Sequence, residues 1–192
     1  MDIVAGIRSK LTGPVPRRAS ERALASAEKA LGFPLPALLR SLYREIGNGG
    51  FGPDYGLIGV TGGHRSDHGR TLAELYAFQR ASDPSAPGWS WPERVLPICD
   101  HGCAILWCLD LRDASEHIVL FDPSEVAPAG DRTVEASMIR THPSLEAWLS
   151  AWLRGEDLSA PAYMQLPPTR MKNPFTGETM EVARRRLRRP GR

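Results

Sequence analysis

Residues 31–50, LGFPLPALLRSLYREIGNGG, decide how the chain is read. Leu35, Leu38, Leu39, Leu42, Tyr43 and Ile46 repeat at steps of three and four, the spacing that puts apolar side chains on one face of a helix. Pro36 suits a first helical position, because the amide hydrogen it lacks has no intrahelical partner there. Gly47-Asn48-Gly49-Gly50 predicts an abrupt stop, since glycine and asparagine tolerate the left-handed backbone that ends a helix. A hairpin or an entry into a sheet is expected next, over the apolar run from Tyr55 to Val60.

Upstream, Ser20 is placed to cap a helix running to Leu31, with Ala23, Leu24, Ala27, Ala30 and Leu31 on one face and Gly32 as its terminator. Residues 1–18 carry Gly13, Pro14 and Pro16 with no sustained period and read as a mobile lead-in. Downstream, the polar, glycine-rich stretch from Thr61 to Arg70 precedes a capping-box pattern, Thr71 with Glu74, and a third helix through Leu72, Leu75 and Tyr76. Val95 to Asp100, Ala104 to Leu111 and His117 to Asp122 read as consecutive strands. Leu145, Trp148, Leu149, Trp152 and Leu153 then form a closing helix. The expected organisation is a lead-in (1–18), an α+β domain (19–158) and a proline-rich, basic extension (159–192).

In this order, Leu31-Gly32 with Leu35-Pro36, the amphipathic helix and Asn48-Gly49-Gly50 resemble the opening of the SUKH superfamily, the Smi/Knr type. Trp91 with Leu96-Pro97-Ile98, the strand ending Leu109-Asp110-Leu111, a further strand and the tryptophan-leucine helix fit the same pattern, which covers roughly residues 20–155. The resemblance implies a mixed, mainly antiparallel sheet packed against helices, used as a binding module and not as an enzyme. Many bacterial members look like immunity proteins that neutralise polymorphic or contact-dependent toxins, often nucleases, and a fungal relative regulates cell-wall synthesis. The partner expected on that basis is a cognate protein toxin. The alternative is a regulatory or scaffold protein of the same fold, recruiting a protein through its C-terminal tail.

Composition agrees with a globular domain: 192 residues, 42% hydrophobic and 24% charged. No apolar run approaches the ~18–20 residues of a membrane span, and the start lacks a secretory signal, so a cytoplasmic protein, a monomer or weak homodimer without a membrane partner, is expected. The net charge of +2 is uneven. From Arg170 onward eight basic residues oppose Glu178 and Glu181, giving +6 and leaving −4 for the body. Arg184-Arg185-Arg186-Leu187-Arg188-Arg189 could grip phosphate backbone, or equally be a solvated end or pair with the acidic body or an acidic partner; without interleaved aromatics no specific nucleic-acid recognition is expected. Asn173 to Glu178, turn-rich with one aromatic, reads as a local anchor onto the body.

Cys99, His101, Cys103 and Cys108 crowd together, yet lack the Cys-x2-Cys knuckle of a zinc site, so reduced, buried structural thiols and no cofactor or metal are expected. His64 and His68 sit among glycines and read as loop residues. No Gly-x-Ser-x-Gly turn or phosphate loop is present, and Cys103 near His101 lacks an identifiable third member, so no catalytic residues are assigned. The loops combine aromatics with carboxylates, the mixture of interface hot spots. Asp54, Tyr55, Asp67, Trp89, Trp91 and Asp100 are therefore the expected partner-binding residues, with Asp83 and Glu93 nearby. Trp89 and Trp91 could instead fold back over a sheet edge.

Overall fold

The computed structural model describes residues 2–81, 89–125, 134–165, 169–172 and 179–182. Helices α1 (Ile3–Lys10), α2 (Glu21–Leu31), α3 (Ala37–Glu45) and α4 (Leu72–Arg80) precede strands β1 (Val95–Gly102), β2 (Ile105–Asp110) and β3 (His117–Phe121). Strand β4 (Met138–His142), helix α5 (Leu145–Leu153) and the single turn α6 (Ala160–Tyr163) follow, and β5 (Thr169–Lys172) pairs with β6 (Thr179–Val182) as a separate two-stranded sheet. The main sheet has the order β1-β2-β3-β4, each pair antiparallel, so the fold is α+β.

The expected helices form for the expected reasons. Ser20 accepts a hydrogen bond from the Ala23 amide, and Gly32 ends α2 in the left-handed conformation. Thr71 and Glu74 form the reciprocal capping box of α4, and Ser144 caps α5. Pro36 stands one residue earlier than expected, as the cap of α3. Leu39, Leu42 and Tyr43 are buried beneath α3, while α5 contributes Leu145, Trp148 and Leu149 to the core. Every residue of β2 is buried, with Trp107 and Cys108 fully so, which makes this strand the centre of the molecule.

Three segments differ from the sequence expectation. The lead-in contains α1, whose Ile3 and Ile7 are buried. Gly6 lies beneath α5, where a Cβ would stand 2.8 Å from Leu153 Cδ1. The Arg8 guanidinium donates to the Glu45 carbonyl at 2.9 Å, and Lys10 Nζ donates to the Trp152 carbonyl at 2.7 Å. These cations meet the exposed carbonyls that end α3 and α5, where the helix dipole is negative. Second, Tyr55 to Val60 does not become a strand; it makes one isolated bridge, Leu57 to Cys99. Third, β4 was not expected, because Met-Ile-Arg-Thr-His alternates weakly and buries only Ile139.

Each margin of the main sheet receives a hydrogen bond from a neighbouring segment. Along β1, the Ile58 amide donates to the Ile98 carbonyl at 2.8 Å. Beside β4, the Gln165 side chain donates to the Arg140 carbonyl at 2.9 Å. At the end of β2, Asp110 is 1% exposed and receives Arg112 at two points, Nε at 2.8 Å and Nη2 at 2.9 Å, with Arg140 Nη2 at 3.3 Å. Arg112 holds the Asp110 carboxyl below the usual carboxylate range.

Candidate functional site

The loops between α3 and α4 are organised by Asn48. Its side-chain oxygen accepts the Val60 amide at 2.8 Å, and its amide donates to the Thr61 carbonyl at 3.2 Å. The Asn48 carbonyl takes the His64 amide at 2.8 Å, and the His64 carbonyl takes that of Gly59, also at 2.8 Å. The asparagine is 3% exposed, so these bonds replace hydration it has lost. Backbone closes around it so tightly that a Cβ on Gly59 would meet the Asn48 carbonyl at 2.2 Å, and one on Gly63 at 2.3 Å. The asparagine-glycine-glycine stop is thus a knot that fixes two loops, Phe51–Gly56 and Thr61–Arg70.

The first loop carries Asp54 to the tip of the β1–β2 hairpin. Asp54 Oδ2 stands 2.6 Å from His101 Nδ1 and accepts the Trp107 indole hydrogen at 2.7 Å. An acceptor carboxylate at that distance places the imidazole hydrogen on Nδ1, leaving His101 Nε2 buried without a partner. The His101 ring stands edge-on to Trp107, with centroids 5.5 Å apart, and Trp107 contacts Trp148 of α5 at the same separation. Tyr55 follows Asp54, is 50% exposed, and lies against Gly102, where a Cβ would be 3.3 Å from its ring.

This end of the molecule is held in an unusual backbone. Asp54 (φ +48°), Cys103 (φ +55°) and Ala104 (φ +62°) all adopt the left-handed region without being glycine. Cys103 and Ala104 form the two-residue turn between paired Gly102 and Ile105, a position that favours Asn-Gly. Each such residue costs about 1–2 kcal/mol, and strain of this kind gathers where function fixes a conformation.

The second loop reaches the other flank of the same end of β1. Asp100 Oδ2 accepts the Asp67 amide at 3.0 Å, and the Asp100 side chain is buried. Burial, with the Asp67 charge adding to it, raises the Asp100 carboxyl above its ordinary value. Just beyond, Phe78 of α4 is 50% exposed, with the Arg70 guanidinium 3.9 Å over its ring and His68 at 6.5 Å. Phe78 escaped the sequence reading because it lies off the Leu72, Leu75, Tyr76 face of α4; an aromatic off the apolar stripe was the available signal.

The expected partner-binding residues therefore divide. Asp54, Tyr55 and Asp67 are exposed around one end of β1. Asp100 and Trp91 are not surface groups: Asp100 is 5% exposed and Trp91 1%, its indole donating to the Val95 carbonyl at 2.7 Å. Trp89 donates to the Gln79 carbonyl at 2.9 Å and stacks on Trp91, and both pack against Phe121. The pair folds back onto the body, the second of the two roles the sequence left open. Glu93 is exposed and pairs with Arg80; Asp83 lies outside the described residues. Cys99 and Cys108 are buried thiols that burial pushes well up, as expected, whereas Cys103 is exposed at the hairpin tip. No cluster of three or more metal-ligating side chains occurs among the described residues.

With this geometry in place, comparison with known proteins adds one decisive match. The sequence pattern of the SMI1/KNR4 family (SUKH-1) covers residues 18–151. The chain belongs to the SMI1/KNR4 family. No curated protein and no solved structure matches it significantly. The SMI1/KNR4 match begins after α1 and ends within α5, so it spans the Asn48 knot, both loops and the main sheet. Among the described residues no helix is long and apolar enough to cross a membrane.

The raised carboxyl of Asp100 makes a prediction that needs no partner. A carboxyl whose folded pKa lies above its unfolded value contributes most below the unfolded value, and that contribution is lost as pH rises through the folded one. At neutral pH the ionised, buried Asp100 is therefore a liability. Asp100→Asn keeps an oxygen for the Asp67 amide and is expected to raise the thermal midpoint at pH 7, by about 2–4 °C per kcal/mol recovered. The gain should shrink toward pH 4; a midpoint lowered at pH 7 would refute this account.

Proposed function

We propose that the chain is a non-enzymatic binding protein, an immunity-type member of the SMI1/KNR4 family that neutralises a cognate protein toxin by stoichiometric contact. The observation that carries the reading is the fixed surface at the end of β1, where half-exposed Tyr55 and Phe78 flank loops tied down through Asn48, Asp54 and Asp100. Binding to ordered loops avoids the entropy of ordering them, and exposed aromatics on rigid supports are the usual anchors of interfaces. Against catalysis stand the burial of His101 Nε2, which leaves the Asp54–His101 pair no solvent-facing nitrogen to receive a proton, and the inert environment of Cys99 and Cys108.

The test is co-purification with the neighbouring gene product, followed by calorimetric titration of the pair and an assay of the partner's toxicity. A tight one-to-one complex that abolishes toxicity is expected. Tyr55→Ala should then weaken binding by about 30-fold or more, the 2 kcal/mol scale of a hot spot, with an unchanged thermal midpoint. Met164→Ala, which truncates a side chain 84% exposed beyond α6, should change affinity less than about twofold. Equal effects of the two substitutions would remove Tyr55 from the interface. A nontoxic partner held only through residues after 159 would favour the regulatory or scaffold reading.

A further inference from the structure

The SMI1/KNR4 match leaves residues 152–192 unassigned, and the end of that stretch has a chemistry of its own. Strands β5 and β6 pair in the register Arg170 to Glu181 and Lys172 to Thr179, forming a ribbon that shares no strand with the main sheet. Around and after the ribbon lie the eight basic residues of the +6 segment, seven of them arginine, with five arginines among the six residues 184–189.

We infer that this extension is a nucleic-acid-binding arm, holding the phosphate backbone without reading base sequence. Charge density selects the partner. A protein surface interleaves charges of both signs, whereas a nucleic acid presents one negative charge after another and releases bound counterions when cations replace them. Guanidinium groups suit phosphate oxygens because their forked donors bind them two at a time. A two-stranded ribbon is also one of the shapes that the major groove of B-DNA admits. The body, at −4, is repelled by the same polyanion, so contact is confined to the arm and the face around Tyr55 stays free. The arm does not rest on the immunity reading. It would in fact be repelled by the basic cleft of a nuclease toxin, which separates the two contacts on one chain.

Fluorescence anisotropy of the full chain with labelled 20-base-pair duplexes of two unrelated sequences, and with a 20-nucleotide RNA, tests the inference. Binding should be similar for the two duplexes and fall by about a thousandfold between 50 and 200 mM salt, as expected for six or more phosphate contacts. Replacing Arg184, Arg185, Arg186, Arg188 and Arg189 with glutamine should weaken binding at 50 mM salt by at least about tenfold and reduce the log-log salt slope by about four. The thermal midpoint of the body and any complex formed through Tyr55 should be unchanged. Lack of binding by the full chain at 50 mM salt would overturn the inference, as would a five-glutamine variant that binds like its parent. Competition by polyglutamate as effective as by unlabelled duplex would also overturn it, by showing a site for acidic protein surfaces.

Discussion

Gly59→Ala is expected to leave the chain largely unfolded, with a loss of about 4 kcal/mol or more, a large part of the stability of a typical domain. The added methyl would sit 2.2 Å from the Asn48 carbonyl, 2.8 Å from its side-chain oxygen and 2.9 Å from the His64 amide nitrogen. None of these can retreat cheaply, since the Asn48 carbonyl is bonded to His64 and its side chain to Val60 and Thr61. Gly63→Ala should behave alike, meeting the same asparagine at 2.3 Å. Its neighbour Gly62 supplies the control: φ is +82° but nothing lies within 4 Å, so alanine there should cost only about 1–2 kcal/mol of backbone strain. Urea denaturation of the soluble variants, with expression yield for the insoluble ones, makes the comparison. Equal losses at Gly62 and Gly63 would show that the close approach to Asn48 is not what Gly63 provides.

Asp110→Asn is expected to lower stability at pH 7 by about 2–3 kcal/mol. The carboxylate is 1% exposed, whereas the Arg112 and Arg140 side chains are 37% and 55% exposed. The hydrated arginines survive loss of their partner better than a buried cation would, which keeps the figure below the 3–5 kcal/mol of a fully buried pair. The pH dependence has a definite sign. Because the folded pKa lies below the ordinary value of about 3.9, the stabilisation is complete above that value and disappears as pH falls through the folded one. Wild type and variant should therefore differ in urea midpoint at pH 7 and converge toward pH 2. A gap that persists undiminished in acid would mean that the side-chain amide disturbs packing and that charge is not the issue. This slope is opposite to that of Asp100→Asn, although both aspartates are buried in the same sheet: one has two arginines and the other a backbone amide and a neighbouring negative charge.

Much of the fold was legible because its signals are local. Ser20, Gly32, the Thr71–Glu74 box and Ser144 act within a few residues of themselves, and the spacing of Leu35 to Ile46 records the buried face of α3 directly. Helix α1 was not legible, since eight residues are too few to show a period and its last turn is held by carbonyls of α3 and α5. The Tyr55 to Val60 run looked like a strand because it is apolar, yet its burial comes from the Asn48 knot and the edge of β1. At the site, loop position placed Asp54, Tyr55 and Asp67 at the surface, where they lie exposed. What it could not convey was that Trp91 and Asp100 face inward, or that Asp54 meets His101 across 47 positions and Trp107 across 53. Such pairings are products of tertiary closure and leave no period in the chain.

The contacts at the margins of the main sheet bear on where the proposed partner surface would evolve. Ile58 bonds to β1 and Gln165 to β4, so a polypeptide adding a strand at either margin would have to displace one of these contacts. On the proposed reading, recognition is written in side chains on the loops, a code that substitution can rewrite one letter at a time. On that reading, a new partner would be acquired by exchanging residues such as Tyr55 while Asn48 and the glycines around it stay untouched.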